Sequence, residues 1–129
     1  MVKLTIPGWA PSVNHSWFRS KTGKVFLTQA GKKFRSLVGF FVQQDRVKGE
    51  LPKEPLTGPL QLTVTLWVPD HRKRDIDNSN KALLDALTHA KIWEDDSQVK
   101  KQIVEMKSQV VKGGRIDIEI TEYQEESHE

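Results

Sequence analysis

Two aspartates and a lysine lie close together in the middle of the chain, where a helix is predicted to begin. Asp75 and Asp77 are two residues apart on an extended segment, so both side chains can point the same way. If the helix starts at about Asn78, Lys81 lies on the same helical face as Asp77. Clustered carboxylates repel one another unless a cation joins them. Such acids beside arginines are typical of a metal-dependent enzyme that acts on phosphodiesters.

A second acidic pair follows this predicted helix. Asp95 and Asp96 end the segment Trp93–Asp96, and chain connectivity allows them to share a site with the first pair without requiring it. Carboxylate oxygens, in a chain with no cysteine and no paired-histidine motif, favour Mg²⁺ or Mn²⁺ over Zn²⁺. Such an ion can activate water and stabilise charge on a phosphoryl oxygen.

The same residues also fit a purely structural role. Asp77 could cap the helix and pair with Lys81, an interaction worth about 0.2–0.5 kcal/mol. The four histidines show no ligand spacing and are expected to be structural or exposed, and the four tryptophans are expected in the core or on sheet faces. The residues alone therefore leave open a metal-dependent phosphodiesterase and a non-catalytic nucleic-acid-binding protein.

Cations flank both acidic pairs. The run Arg72-Lys73-Arg74 precedes the first pair, and Lys100 and Lys101 follow the second. Residues 117–129 contain six acids and no lysine or arginine, and removing these six negative charges from the net charge of +3 leaves +9 on residues 1–116. A basic body with an acidic end indicates a polyanionic partner, although an ordinary solvated surface would carry the same charges.

The composition limits the class of protein. A chain of 129 residues with 36% hydrophobic and 29% charged residues predicts one globular domain with its own core. No apolar run approaches the roughly 20 residues that a membrane helix needs, and because Met1 leads straight into a strand pattern, no signal peptide is expected. The absence of cysteine excludes disulfides and thiolate zinc sites, and a cytoplasmic protein without membrane contact is expected.

Hydrophobic periodicity predicts the elements that position these residues. Strands are predicted at residues 2–6, 60–68, 98–110 and 116–120, and helices at 28–45 and 78–90. Gly113 and Gly114 predict a hairpin turn between the last two strands. The order β-α-β-α-β-β predicts an α+β fold, a single domain with two helices on one face of a mixed sheet.

Domain limits are predicted at the two ends of this pattern. The domain covers residues 1–122, and the acidic tail at 123–129 is expected to be disordered. Residues 46–59, rich in proline and glycine, are predicted to be a connection within the domain.

Several of these motifs resemble a known nuclease family. The run from Pro69 to Ala82, the segment Trp93–Val99 and the segment Lys112–Arg115 are similar to the RusA family of Holliday junction resolvases. The resemblance covers nearly the whole chain, apart from residues 46–57 and a slightly different proline-rich start. It implies a small homodimeric endonuclease of bacteria or their phages that needs Mg²⁺ or Mn²⁺ and no organic cofactor. Such an enzyme cuts four-way DNA junctions by paired symmetric nicks during recombination and repair.

The resemblance also implies roles for individual residues. Asp75, Asp77 and Asp96 are the expected catalytic metal ligands, Lys81 is the expected active-site lysine, and Asp95 is an auxiliary candidate. The cations expected to grip backbone phosphates are Arg72, Lys73, Arg74, Lys100 and Lys101. A nuclease for flaps or other branched DNA remains a second enzyme alternative.

Overall fold

The computed structural model describes residues 1–125 and contains a four-stranded sheet, a small hairpin and two main helices. In chain order the elements are β1 (Val2–Ile6), α1 (Val13–Ser16), β2 (Trp17–Arg19), β3 (Val25–Leu27), α2 (Gln29–Lys48), β4 (Leu60–Trp67), α3 (Asn80–His89), β5 (Val99–Lys107) and β6 (Arg115–Glu122). A 3₁₀ turn at Asp96–Gln98 precedes β5. Within residues 1–125, none of the helices has the length and apolar character needed to cross a membrane.

The predicted α+β fold with a mixed sheet is confirmed. The strand order is β1-β6-β4-β5, in which β5 runs parallel to β4 while β6 is antiparallel to both β4 and β1. Alternate residues of β4, from Leu60 to Leu66, are buried against the helices. Because β4 and β5 are parallel, the chain must cross back between them, and α3 forms that crossover.

The predicted hairpin between the last two strands is wrong. β5 and β6 lie on opposite sides of β4 and do not pair. Gly113 and Gly114 do form a turn, with φ angles of 78° and 85°. The turn leads β6 instead into the slot between β1 and β4, where Ile116, Ile118 and Ile120 are buried. The local turn therefore does not determine which strand β6 pairs with, and in the position that β6 takes all three isoleucines lie in the core.

The helix α2 begins as predicted and ends three residues later than predicted. The hydroxyl of Thr28 accepts a hydrogen bond from the N–H of Gly31, which caps the first turn. The helix runs to Lys48, and Gly49 ends it in the left-handed conformation with φ 79°. Its buried stripe of Phe34, Val38 and Val42 joins the core above the sheet.

The other face of the sheet is polar, which agrees with helices on one face only. Asp117 lies near its centre and accepts hydrogen bonds from the indole N–H of Trp67 and the hydroxyl of Thr5, each at 2.9 Å. The guanidinium of Arg115 is also 2.9 Å from the Asp117 carboxylate.

Three short elements are absent from the sequence prediction. The helix α1 and the strands β2 and β3 occupy residues 13–27, where β2 and β3 form a separate two-stranded sheet. At the other end, Tyr123–Glu125 form neither helix nor strand. The rest of the predicted acidic tail, residues 126–129, lies outside the described residues.

Candidate active site

Asp75 and Asp77 lie on the loop that connects β4 to α3. The backbone oxygens of Asp75 and Asp77 accept hydrogen bonds from the N–H groups of Asn78 and Asn80, at 3.2 and 3.1 Å, so the loop is a tight turn. The helix starts at Asn80 with Ser79 in the N-cap position, which means that Asp77 does not cap it. Both aspartates are exposed to solvent. Their carboxylates are therefore available to a ligand.

The segment after β1 supports this loop from one side. The hydroxyl of Ser79 donates to the backbone oxygen of Ala10 at 2.8 Å, and the N–H of Val13 donates to the backbone oxygen of Asn78 at 3.1 Å. An open depression of about 330 Å³ lies between this segment and the loop. The supporting contacts join residues more than 60 positions apart, so the periodicity of the sequence contained no signal for them.

The basic run holds the same loop through Arg74. Its guanidinium is 2.8 Å from the Asp70 carboxylate and lies over the ring of Trp9, 5.2 Å from the ring centroid. The hydrogen bond from Arg74, with a further one from the backbone of Arg72, lowers the pKa of Asp70 to about 2. Only 18% of the Arg74 side chain is exposed, compared with 85% for Arg72.

The other predicted phosphate contacts are all exposed. Lys73 follows Arg72 on the outer side of the loop, and Lys100 and Lys101 lie at the start of the edge strand β5. The loop and the strand thus present four accessible cations, while Arg74 is turned inward.

Lys81 follows one turn after Asp77, but the two do not pair. The ion pairs found within residues 1–125 do not include Asp77 with Lys81. The Nζ atom of Lys81 instead lies over the indole ring of Trp17, 4.7 Å from the centroid. Such a cation–π contact fixes the position of an ammonium group without neutralising it. The structural alternative considered for this pair, a helix cap with an ion pair, is therefore not what the fold contains.

A network of buried and capped groups positions the second acidic pair. Trp93 is fully buried, and its indole N–H donates to the hydroxyl of Thr88 at 2.6 Å. The side-chain oxygen of Gln98 accepts from the N–H groups of Glu94 and Asp95, which completes a capping box around the 3₁₀ turn. The segment that carries Asp96 is therefore fastened to the end of α3.

The two carboxyl groups of this pair differ in acidity. Partial burial raises the pKa of Asp96, and the adjacent Asp95 and the more distant Asp85 act in the same direction. Hydrogen bonds from the backbone and hydroxyl of Ser97 lower the pKa of Asp95. A cation that binds between these carboxylates would reduce the repulsion that raises the pKa of Asp96.

An ion pair near this second acidic pair was not predicted. Arg35 of α2 donates to the Asp85 carboxylate of α3 at 2.6 Å. The periodicity of α2 alone does not reveal this contact, because it does not show what a second helix presents to Arg35.

The carboxylates fit a hard divalent cation in their chemistry, since Mg²⁺ and Mn²⁺ prefer such oxygens. Within residues 1–125, however, no three acidic or histidine side chains of one chain come together as a metal-binding group. Asp77 precedes α3, whereas Asp96 follows it. The neighbour of Asp96 is Asp85, which lies about two helical turns beyond Asp77. Along the chain, the two acidic pairs thus lie before and after α3.

Comparison with known proteins gives one consistent result. The family described as endodeoxyribonuclease RusA matches residues 7–121. A protein named crossover junction endodeoxyribonuclease, from Enterobacteria phage 82, is 37% identical over 119 residues, which cover 92% of each chain. The protein of that name from Escherichia coli strain K12 is 36% identical over 119 residues with the same coverage. A third, from Escherichia coli O139:H28, is 33% identical over 123 residues, or 95% of this chain and 96% of that protein.

Proposed function

The chain belongs to the RusA family of endodeoxyribonucleases, and from that membership we propose that it resolves Holliday junctions during recombination and repair. The observation that carries the proposal is the arrangement around the start of α3. Two exposed carboxylates, Asp75 and Asp77, stand one turn before a positioned ammonium group, Lys81, on a loop with exposed cations. Its relatives are named for cutting crossover junctions, and this arrangement suits phosphodiester cleavage.

In this proposal Asp75, Asp77 and Asp96 hold Mg²⁺ or Mn²⁺. The bound metal would supply Lewis-acid stabilisation of negative charge on the phosphate. The carboxylates orient the attacking water, and Lys81 offsets charge on the phosphate or on the leaving oxygen. Enzymes of this kind must lower the barrier by about 8–23 kcal/mol, which a basic surface alone does not do.

Binding to DNA is proposed to depend on the exposed cations. Backbone phosphates are contacted by four side chains, two on the loop and two on β5. These are Arg72, Lys73, Lys100 and Lys101. Arg74 belongs to the same predicted set, but its guanidinium is engaged by Asp70 and Trp9. We therefore propose that Arg74 maintains the shape of the loop that presents its two neighbours.

We propose that the active unit is a homodimer in which Asp96 comes from the partner. This is supported by the order along the chain, since Asp75 and Asp77 precede α3 and Asp96 follows it, with Asp85 as its neighbour about two helical turns beyond Asp77. It is also supported by the substrate, because a junction with two equivalent strands needs two matched cuts. A dimer with twofold symmetry supplies two equivalent sites.

The decisive assay is cleavage of a synthetic mobile four-way junction with and without Mg²⁺. Metal-dependent nicking at symmetric positions is expected, with little cleavage of a linear duplex. Binding without any cleavage would favour the non-catalytic alternative, and faster cleavage of flaps than of four-way junctions would favour the other branched-DNA nuclease.

Mixing two inactive variants tests the shared site. If Asp96 acts across the dimer, a mixed dimer of Asp75→Asn and Asp96→Asn chains contains one site with all its native carboxylates. Cleavage should then reappear on mixing the two proteins. If all three acids act within one chain, every site in the mixture is defective and no activity returns.

A further inference from the structure

The hairpin formed by β2 and β3 carries two phenylalanines on a face that is largely open to solvent. Phe18 and Phe26 are cross-strand partners, and their rings stack with centroids 5.3 Å apart and planes 25° apart. Phe18 is 51% exposed and Phe26 is 44% exposed. The two rings form one exposed apolar patch, and such a patch with a polar rim is typical of an interaction site.

The pleat of the hairpin explains why this pair points outward. Side chains alternate between the two faces of a strand, and Trp17 and Leu27 occupy the face opposite the phenylalanines. Trp17 packs against the core. Leu27 packs against α2, where a Cβ added to Gly31 would lie 2.6 Å from its side chain. With that face held against the body of the protein, Phe18 and Phe26 must face away from it.

The charge of the hairpin indicates the kind of partner. Residues 17–27 contain Arg19, Lys21 and Lys24 and no acid. None of these three cations takes part in the ion pairs found within residues 1–125. An aromatic pair among unpaired cations suits single-stranded or unstacked nucleic acid, since bases stack on the rings while phosphates meet the cations.

The hairpin also borders the candidate active site. Trp17, the first residue of β2, lies beneath Lys81, and Lys81 is one turn from Asp77. A DNA strand whose phosphate reaches Lys81 would therefore pass the base of the hairpin.

We propose that Phe18 and Phe26 form a stacking platform for bases at the branch point of the DNA junction. This inference rests on the proposed function and adds the element that distinguishes a branch from a duplex. In a continuous duplex both faces of each base are already stacked, and exposing one costs free energy. At a branch point that cost is lower, so an aromatic pair binds there preferentially without reading the sequence.

The test measures binding in the absence of divalent metal, so that no cleavage is needed. The double variant Phe18→Ala/Phe26→Ala should bind a four-way junction about 10- to 100-fold more weakly than the unaltered protein, from the usual strength of base–aromatic stacking. Its affinity for a linear duplex of the same length should change less than about threefold. Phe40→Ala is the matched control, because Phe40 is 61% exposed on α2, and its affinity for the junction should be unchanged.

Abasic DNA makes the test specific for stacking. Replacing the bases at the branch point with abasic sites should weaken binding by the unaltered protein and have little effect on the double variant. A second variant, Phe18→Tyr/Phe26→Tyr, keeps both rings and should restore junction binding. The retained affinity of the alanine variant for the linear duplex shows that it is folded.

Three results would overturn the inference. One is an equal loss of affinity for the junction and the duplex in the alanine variant. Another is that abasic sites weaken junction binding by the alanine variant as much as they weaken binding by the unaltered protein. The third is a change from dimer to monomer in sedimentation, which would assign the phenylalanines to a contact between two copies. If the binding results are as expected but the protein cuts no junction in the presence of Mg²⁺, the proposed function is refuted and the stacking platform is still supported.

Discussion

The ammonium group of Lys81 lies over the indole ring of Trp17, 4.7 Å from its centroid. This contact joins the first turn of α3 to the hairpin through two residues that are 64 positions apart in the chain. The ammonium group stands one helical turn after Asp77 in the chain and takes part in none of the ion pairs found within residues 1–125. In the proposed reaction that charge is available to the substrate.

Removing the ring should therefore reduce catalysis while Lys81 remains. Trp17→Leu is expected to slow single-turnover cleavage of a four-way junction about 2- to 30-fold, the range of a cation–π contact. Trp17→Phe keeps an aromatic face and should recover most of the rate. Lys81→Met should cost more, on the order of 10²-fold or greater. A Trp17→Leu protein with an unchanged rate would show that the contact does not position the lysine.

Removing any one of the three proposed metal ligands should abolish cleavage while DNA binding survives. Asp75→Asn, Asp77→Asn and Asp96→Asn each remove a ligand together with a negative charge that repels phosphate. Cleavage is measured with Mg²⁺, and junction affinity is measured without it. Glu94→Gln is the control, because it removes an exposed carboxylate two residues from Asp96. If two of the three asparagine variants cut at near the normal rate, the site is misassigned.

The exposed residues of the basic run, Arg72 and Lys73, should respond to substitution differently from the largely buried Arg74. If about six cations contact phosphate, junction affinity falls roughly a thousandfold between 50 and 200 mM salt. Arg72→Ala and Lys73→Ala should each reduce the slope of log affinity against log salt by about one. Arg74→Ala should mainly lower thermal stability, because it removes the contacts with Asp70 and Trp9. Equal slopes for all three variants and the unaltered protein would exclude the loop from the DNA surface.

Asp117 should make folding stability depend on pH. Burial alone would raise its pKa, but hydrogen bonds from Arg115, Trp67 and Thr5 outweigh burial and lower it below 3.8. Because the folded-state pKa is the lower one, the ionised group stabilises the fold above about pH 4, and this contribution is lost as the pH falls through the folded-state pKa. Asp117→Asn should cost about 1–2 kcal/mol at pH 7 and progressively less in acid, as measured by urea unfolding. A constant difference from pH 7 to pH 2 would contradict this.

The proposed dimer predicts a particular course of cleavage on a supercoiled cruciform plasmid. Two sites in one complex should make paired nicks before the protein dissociates, so linear product should appear with little nicked circle before it. Analytical ultracentrifugation should show a stable dimer at the concentration of the assay. A strictly monomeric protein, or nicked circles that accumulate long before linear product, would favour a simple nickase for branched DNA.

Local patterns predicted the main elements well, because the side chains that a helix or strand buries recur in the sequence at the period of that element. Every second residue of β4 is buried, and the stripe of Phe34, Val38 and Val42 follows the helical period in α2. The hairpin at residues 17–27 was missed, although two short runs of aromatic and β-branched residues around Gly23 gave a signal for it.

Contacts between distant segments could not be predicted in the same way. The partner of Lys81 proved to be Trp17 and not Asp77, and the partner of Asp85 is Arg35 on another helix. These pairings depend on how two elements pack against each other, and the sequence pattern of one element does not show this. The residues of the candidate site were therefore predicted from motif and resemblance, while their mutual arrangement required the fold.

The place of β6 between β1 and β4 has a consequence for the newly made chain. Val2 of the first strand pairs with Ile120 of the last, so the sheet closes only across almost the full chain length described. Until β6 inserts, β4 has an open edge and β1 has no partner in the sheet. Such long-range closure is slow relative to helix formation. During synthesis, the four-stranded sheet from which the β4–α3 loop extends is therefore complete only when residues 115–122 have left the ribosome, and a truncated product would lack the strand that joins β1 to β4.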